Sequence, residues 1–266
     1  VLQIHHGGRM CSPEELKNNQ IEGNNYLNCV LVIDYFGISD YEIYLKEIKD
    51  TSISIFDLAH TFPTNELIIK LTSRCNYVFT SLRKFLPVPD GSLIFTKSNQ
   101  INSISPKKST SLTWKILSIS SYFKTIDRFL DKCGFRYKLF KILEQNLNSI
   151  NGSIVSKNLV HSVDLDKMLK KRIENFKILY SQPFLNLNLF FLNFQIRKKN
   201  LNPLYFPIKV RDTKKLQNSL VKKNIYCPIF WPENNPHQQV LGIPIDDRYN
   251  SKSMYKIVNL LDTYIN

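Results

Sequence analysis

Asp57, His60, Thr80, Ser81 and Lys84 are the residues of this chain whose types and spacing could do chemistry. Lys84 stands in Ser-Leu-Arg-Lys-Phe-Leu, between a short apolar run and a Pro-Val-Pro-Asp-Gly turn. On a surface it is one more solvated cation. Held against Phe85 and Leu86 it loses solvation, its neutral amine is favoured, and a neutral amine attacks an aldehyde to form a Schiff base. Asp57 is either a helix cap or loop acid, or the buried carboxylate that keeps a proton on the nitrogen of an aromatic ring. His60, three residues on, either packs, stacks on such a ring, or holds one of its oxygens. Thr80 and Ser81 either cap a strand end or bind a phosphate beside backbone N–H groups. Arg83 either neutralises phosphate or faces solvent, and solvent is the simpler reading.

Placing these side chains together requires strands that end beside one another. Residues 29–33, Cys-Val-Leu-Val-Ile, read as a buried parallel strand followed by the loop Asp34-Tyr35-Phe36-Gly37. Residues 39–49 have helical spacing, residues 53–56 form the next strand, and residues 66–73 a short periodic segment. Residues 77–79 and 93–95 supply two more strands. This β-loop-α-β order builds a mostly parallel sheet, and in an open α/β sheet ligands sit where strands end.

Beyond residue 97 the pattern changes. Residues 98–111 are rich in Ser, Asn, Pro and Lys and read as a loop. Residues 112–148 and 165–180 read as helical. The last third alternates strands at 187–196, 204–210, 225–231 and 241–245 with helices at 213–223 and 251–264. Three units are therefore expected: a partial large domain over 1–110, a helical bridge over 111–182, and a small α+β domain over 183–266.

Composition narrows the classes. Hydrophobic residues make up 43%, which suits a globular chain rather than a disordered one. No apolar run approaches the roughly 20 residues of a membrane span. The five cysteines are scattered with no C-x-x-C pair, as expected for reduced thiols in a cytoplasm, without a zinc site or a disulfide framework. His5 and His6 have no acidic or cysteine partner nearby, so no metal is expected there. The net charge of +14 is spread among asparagines without a recognition motif, so solvated lysines are expected rather than a nucleic-acid face. The first residues lack both a starting Met and a signal-peptide layout, so the chain is expected to begin inside a longer protein.

The order of motifs resembles the DegT-type sugar aminotransferases, a family of fold-type-I pyridoxal-phosphate enzymes. The resemblance runs from Val30 to the end. It rests on the apolar run leading to Gly37, on Ile55, Asp57, Ala59 and His60, and on Ser81, Lys84, Gly91 and the strand at 93–95. It continues with the strand at 204–210, the following helix, Asn224, Ile225, Trp231 and the closing segment. It implies a partial fold-type-I large domain followed by a smaller α+β domain. It further implies that Lys84 holds pyridoxal 5'-phosphate as a Schiff base and that Asp57 pairs with the ring nitrogen. By the same likeness His60 contacts the ring and Ser81 binds phosphate, with Thr80 beside it. The implied reaction moves an amino group from an amino acid, by likeness glutamate, to a nucleotide-linked keto sugar for surface polysaccharide, in a homodimer. This chain departs from the family in its short Ser-Leu-Arg-Lys spacing and its Pro-Val-Pro-Asp-Gly turn. Family members are also longer at the N-terminus. A divergent, truncated member is therefore expected, and a catalytically incomplete remnant or sensor is the alternative.

Overall fold

The computed structural model describes residues 5–6, 9–10, 14, 16–17, 29–50, 52–86, 88, 91–96, 154–188, 200–232 and 239–265. The segments expected at 98–111 and 112–148 lie outside them. Near the start, β1 (His5–His6) and β2 (Arg9–Met10) pair as a small antiparallel hairpin.

The first main sheet has the order β3 (Cys29–Ile33), β4 (Ile53–Asp57), β5 (Tyr77–Ser81), β6 (Ser92–Thr96). β3, β4 and β5 are parallel. The connections carry α1 (Glu42–Leu45) and α2 (Asn65–Thr72), and α2 starts where the Thr64 hydroxyl accepts the Leu67 N–H at 3.3 Å. β6 runs antiparallel to β5. Residues 82–91 join them, fewer than the dozen or so that a crossover to a parallel neighbour requires.

The strands at 29–33 and 53–56 read as apolar runs, yet they are not buried on both faces. Val30, Val32, Phe56 and Val78 are buried at 0–2% exposure, whereas Leu31 and Ile94 keep 41% and 61%. Residues alternate between faces along a strand, so the sheet turns one fully packed side inward and one partly open side outward.

The second sheet has the order β7 (Tyr205–Ile208), β9 (Val240–Pro244), β8 (Ile229–Phe230), all antiparallel. It packs with α6 (Thr213–Val221) and α7 (Ser251–Ile265). α3 (Ile154–Ser162) leads to α4 (Leu165–Tyr180), which starts at an Asp164 cap. α4 lies against this sheet: Phe176 meets Phe206 at 5.2 Å, and the Asn175 side-chain amide donates to the carbonyls of Ile245, Asp246 and Tyr249. The strand expected at 187–196 is corrected at its start: residues 183–188 form the helix α5 (Pro183–Asn188), because Pro183 suits a first helical position. Residues 189–199 are not among those described.

An extended segment at 202–204 ties the two sheets together. Asn202 N–H donates to the Gly37 carbonyl at 3.1 Å, and Leu204 N–H donates to the Phe36 carbonyl at 3.0 Å. Phe62 N–H donates to the Asn202 carbonyl at 3.4 Å, and Thr61 bridges Pro203. The loops that follow β3 and β4 are thus fastened to the same backbone.

Candidate functional site

β4 and β5 run side by side in the same direction, so both deliver their C-terminal ends to one edge. Asp57 closes β4 and pairs in register with Ile33 of β3 and Phe79 of β5. Alternation then sorts the side chains: Asp57, Phe79 and Ser81 share one face, and Thr80 lies on the other.

After β5 the chain makes one tight turn, Leu82–Lys84. The N–H groups of Phe85 and Leu86 donate to the Leu82 carbonyl at 3.0 and 2.8 Å. Phe85, Leu86 and Val88 then sink into an apolar cluster with Phe62, Met168 and Leu204. So anchored, Lys84 is near enough for its charge to act on both Asp57 and His60. Lys84 itself is exposed; the apolar wall expected around it is formed by Phe85 and Leu86, which bury themselves and leave the lysine at the surface. Partial burial lowers the pKa of its amine, Asp57 raises it, and the neighbouring Arg83 lowers it. Water at the exposed side moderates that fall.

Asp57 is in the converse state. Burial raises its carboxyl above the ordinary carboxylate range. The Ala59 N–H at 2.6 Å and the Lys84 charge oppose that rise, and Asp34 adds to it. The hydrogen bond from Ala59 also makes Asp57 a local turn acid, so its structural and chemical readings coexist. His60 sits among aromatic rings, with centroids of Phe36 at 5.3 Å, Phe230 at 5.5 Å and Tyr35 at 6.1 Å. Burial first, and the Lys84 charge second, bring its imidazole down to about 3, so it is neutral at ordinary pH. Its Nδ1 is buried without a hydrogen-bond partner among the described residues.

Thr80 is fully buried, and its hydroxyl donates to the Leu58 carbonyl at 3.2 Å. It holds the loop after β4 and does not join the other four. The Ser81 hydroxyl, on the Asp57 face, makes no hydrogen bond among the described residues. Arg83 is exposed, as its solvent-facing reading expects.

Sequence reasoning missed several residues here. Asp34 is fully buried and accepts two hydrogen bonds from Ser39, at 2.6 Å from the hydroxyl and 3.2 Å from the N–H. Burial and the adjacent Asp57 charge push the Tyr35 hydroxyl far above its ordinary range. Trp231 meets Tyr35 at 5.7 Å and Phe36 at 6.2 Å. The signal for Asp34 and Tyr35 was available, since they follow an apolar strand just as Asp57 does. Nothing local in the sequence announces that Phe230 and Trp231 reach them.

The assembled groups are a half-buried acid with a raised pKa, an amine with a lowered pKa, and a neutral imidazole whose Nδ1 has no partner among the described residues, beside an aromatic wall. They fit a flat heterocycle that carries both a protonated nitrogen and an aldehyde. A pyridinium would add a second positive charge beside Asp57, against the burial that raises its pKa, and the Lys84 amine suits the aldehyde.

Known structures share this architecture. The chain is similar to a DegT/DnrJ/EryC1/StrS aminotransferase from Brucella abortus, with a TM-score of 0.53 and 11% identity, over 95% of this chain and 67% of that one. It is similar to a serine palmitoyltransferase from Sphingomonas wittichii, with a TM-score of 0.57 and 9% identity, over 95% and 58%. A serine palmitoyltransferase from S. paucimobilis, solved with a bound pyridoxal-phosphate–myriocin adduct, gives a TM-score of 0.58 and 10% identity over the same shares. The chain thus spans 58% of the length of these palmitoyltransferases. No family model matches it, and no curated protein sequence matches it. The fold is that of part of a fold-type-I pyridoxal-phosphate enzyme, with a mixed α/β architecture and a mostly parallel four-stranded sheet. Among the described residues no helix is long and apolar enough to cross a membrane.

Proposed function

We propose that this chain is a pyridoxal-phosphate-dependent aminotransferase of the sugar-modifying kind. The observation that supports it most is the convergence of Asp57, His60 and Lys84 at the ends of two adjacent strands. When bound, the cofactor supplies an electron sink for the bond broken at the substrate's amine-bearing carbon. Asp57 would hold a proton on the ring nitrogen, and that cation would in turn favour its ionised form. Lys84 Nζ would hold the cofactor's aldehyde carbon. With its amine free, Lys84 Nζ would take and hold the proton from the substrate's amine-bearing carbon, as a lysine base with a depressed pKa can. His60, neutral and ringed by Tyr35, Phe36 and Phe230, would lie against the ring and keep water from it. Ser81 would face the phosphate.

The finer reading is transfer from an amino acid, by resemblance glutamate, to a nucleotide-linked keto sugar for surface polysaccharide, by a cytoplasmic homodimer. Its support is the order of motifs from Val30 onward, together with a DegT-type aminotransferase among the fold neighbours. A second reading, a catalytically incomplete remnant or sensor without transaminase activity, is supported by the departure from the family's pattern at Ser81-Leu82-Arg83-Lys84.

The test is borohydride reduction after mixing with pyridoxal phosphate, read by peptide mass. The expected result is one cofactor fixed on Lys84 and none in Lys84→Ala. Label spread over other lysines, with Lys84 unmodified, sinks both readings. Glutamate converting the bound cofactor to its amine form separates an aminotransferase from a remnant.

A further inference from the structure

Arg172 lies outside the group of residues just described, and its surroundings are unusual for a guanidinium. It is 4% exposed, on α4. Its Nη1 donates to the Leu204 carbonyl at 3.1 Å, and its Nε is buried with no partner among the described residues. The nearby acid Asp246 gives both of its oxygens to Arg248 instead, at 2.7 and 2.9 Å. A buried guanidinium without a bidentate acid is costly, so its position should serve some purpose.

Its two neighbours show which purpose. The guanidinium carbon stands 5.5 Å from the centre of the Phe85 ring, and Phe85 directly follows Lys84. Leu204, whose carbonyl it holds, donates its own N–H to Phe36, and Phe36 packs on His60 at 5.3 Å. One side chain therefore braces the turn that carries Lys84 and the strand that fastens the loops around His60. Arg suits this double task because its planar fork can hydrogen-bond along an edge while its face meets a ring.

We infer that Arg172 is a positioning residue for Lys84: by stacking on Phe85 and holding the Leu204 carbonyl, it keeps the Lys84 turn packed against the strand ends. The inference rests on Lys84 being the reactive amine, but its test uses no cofactor, so failure of cofactor binding and failure of the brace are distinguishable.

The experiment follows reductive methylation of Lys84 by formaldehyde and cyanoborohydride across pH, read by peptide mass, in the parent, Arg172→Lys and Phe85→Leu. The remaining lysines are internal references, and thermal melting shows whether each variant is folded. The charges acting on Lys84 are Asp57 and Arg83, with His60 neutral beside it. Arg172→Lys keeps the positive charge and loses the stack, so lost charge cannot explain its effect. The expected result is that the Lys84 midpoint moves up towards that of an ordinary lysine in both folded variants, while the reference lysines stay put. If Arg172→Lys melts too early to be scored, Phe85→Leu probes the same contact in a core that tolerates leucine. A Lys84 profile identical to the parent's in a folded variant, whatever its melting temperature, overturns the inference and leaves Arg172 a merely structural strut.

Discussion

A methyl group on Gly37 would fall 1.9 Å from the carbonyl oxygen of Asn202, so these two residues approach as closely as a side-chain-free backbone permits. Gly37 also takes φ +70°, a left-handed conformation that only glycine enters cheaply. The loop after β3 is pressed onto the segment joining the two sheets at this point. Gly37→Ala should lose about 1–3 kcal/mol from the backbone conformation alone, with the clash adding to it. A lowered midpoint in chemical denaturation checks this, and an unchanged midpoint would show that the loop is not fastened there.

Asp57 predicts a conflict between stability and binding. Burial raises its pKa in the folded protein, so the folded state holds its proton more tightly than the unfolded chain does. Stability contributed by this group therefore falls as pH rises from the ordinary value towards the raised one, and the ionised acid remains a burden above it. Asp57→Asn keeps an oxygen for the Ala59 N–H and removes the burden. The unloaded variant should melt higher than the parent at neutral pH. Affinity for pyridoxal phosphate should fall roughly ten- to hundredfold, the worth of about 1.5–3 kcal/mol for a hydrogen bond to a charged group. Calorimetric melting and a binding titration read the two effects separately.

The strands that close in Asp57 and Ser81 are legible because each is a short apolar run ended by polar residues without a packing task. α4 is legible to the residue, since Asp164 caps it and its apolar positions recur at helical spacing. The strand at 93–95 is legible, but its antiparallel direction is not part of that reading and comes from the structure. The aromatic wall is not legible. Phe230 and Trp231 meet Tyr35, Phe36 and His60 only because the segment at 202–204 brings the second sheet to the first, and no local pattern encodes that approach. The two hydroxyls beside each other were equally eligible for a phosphate. Strand alternation separates them, placing Ser81 with Asp57 and Thr80 in the core.

Thr80→Val tests that separation. Valine matches the shape of threonine but cannot donate to the Leu58 carbonyl. The loss should cost about 1 kcal/mol of stability and leave the affinity for pyridoxal phosphate unchanged. Ser81→Ala should do the reverse, weakening the cofactor while sparing the melting temperature. A weakened cofactor in Thr80→Val would return that hydroxyl to the phosphate.

His60 should make the protein sensitive to mild acid. Its imidazole titrates near 3 in the folded protein, against about 6.5 in an unfolded chain. Between those values the unfolded state holds the extra proton, so stability is lost as pH falls below 6.5 and is retained above it. One such group contributes a slope of about 1.4 kcal/mol per pH unit. The cause lies in packing: the ring is buried among Tyr35, Phe36 and Phe230, and the Lys84 charge repels a second cation. His60→Gln removes the titration while keeping a polar side chain of similar length. Denaturation midpoints from pH 7 to pH 5 should fall more steeply in the parent than in the variant, and parallel slopes would mean that His60 can take up a proton without leaving its place in the fold.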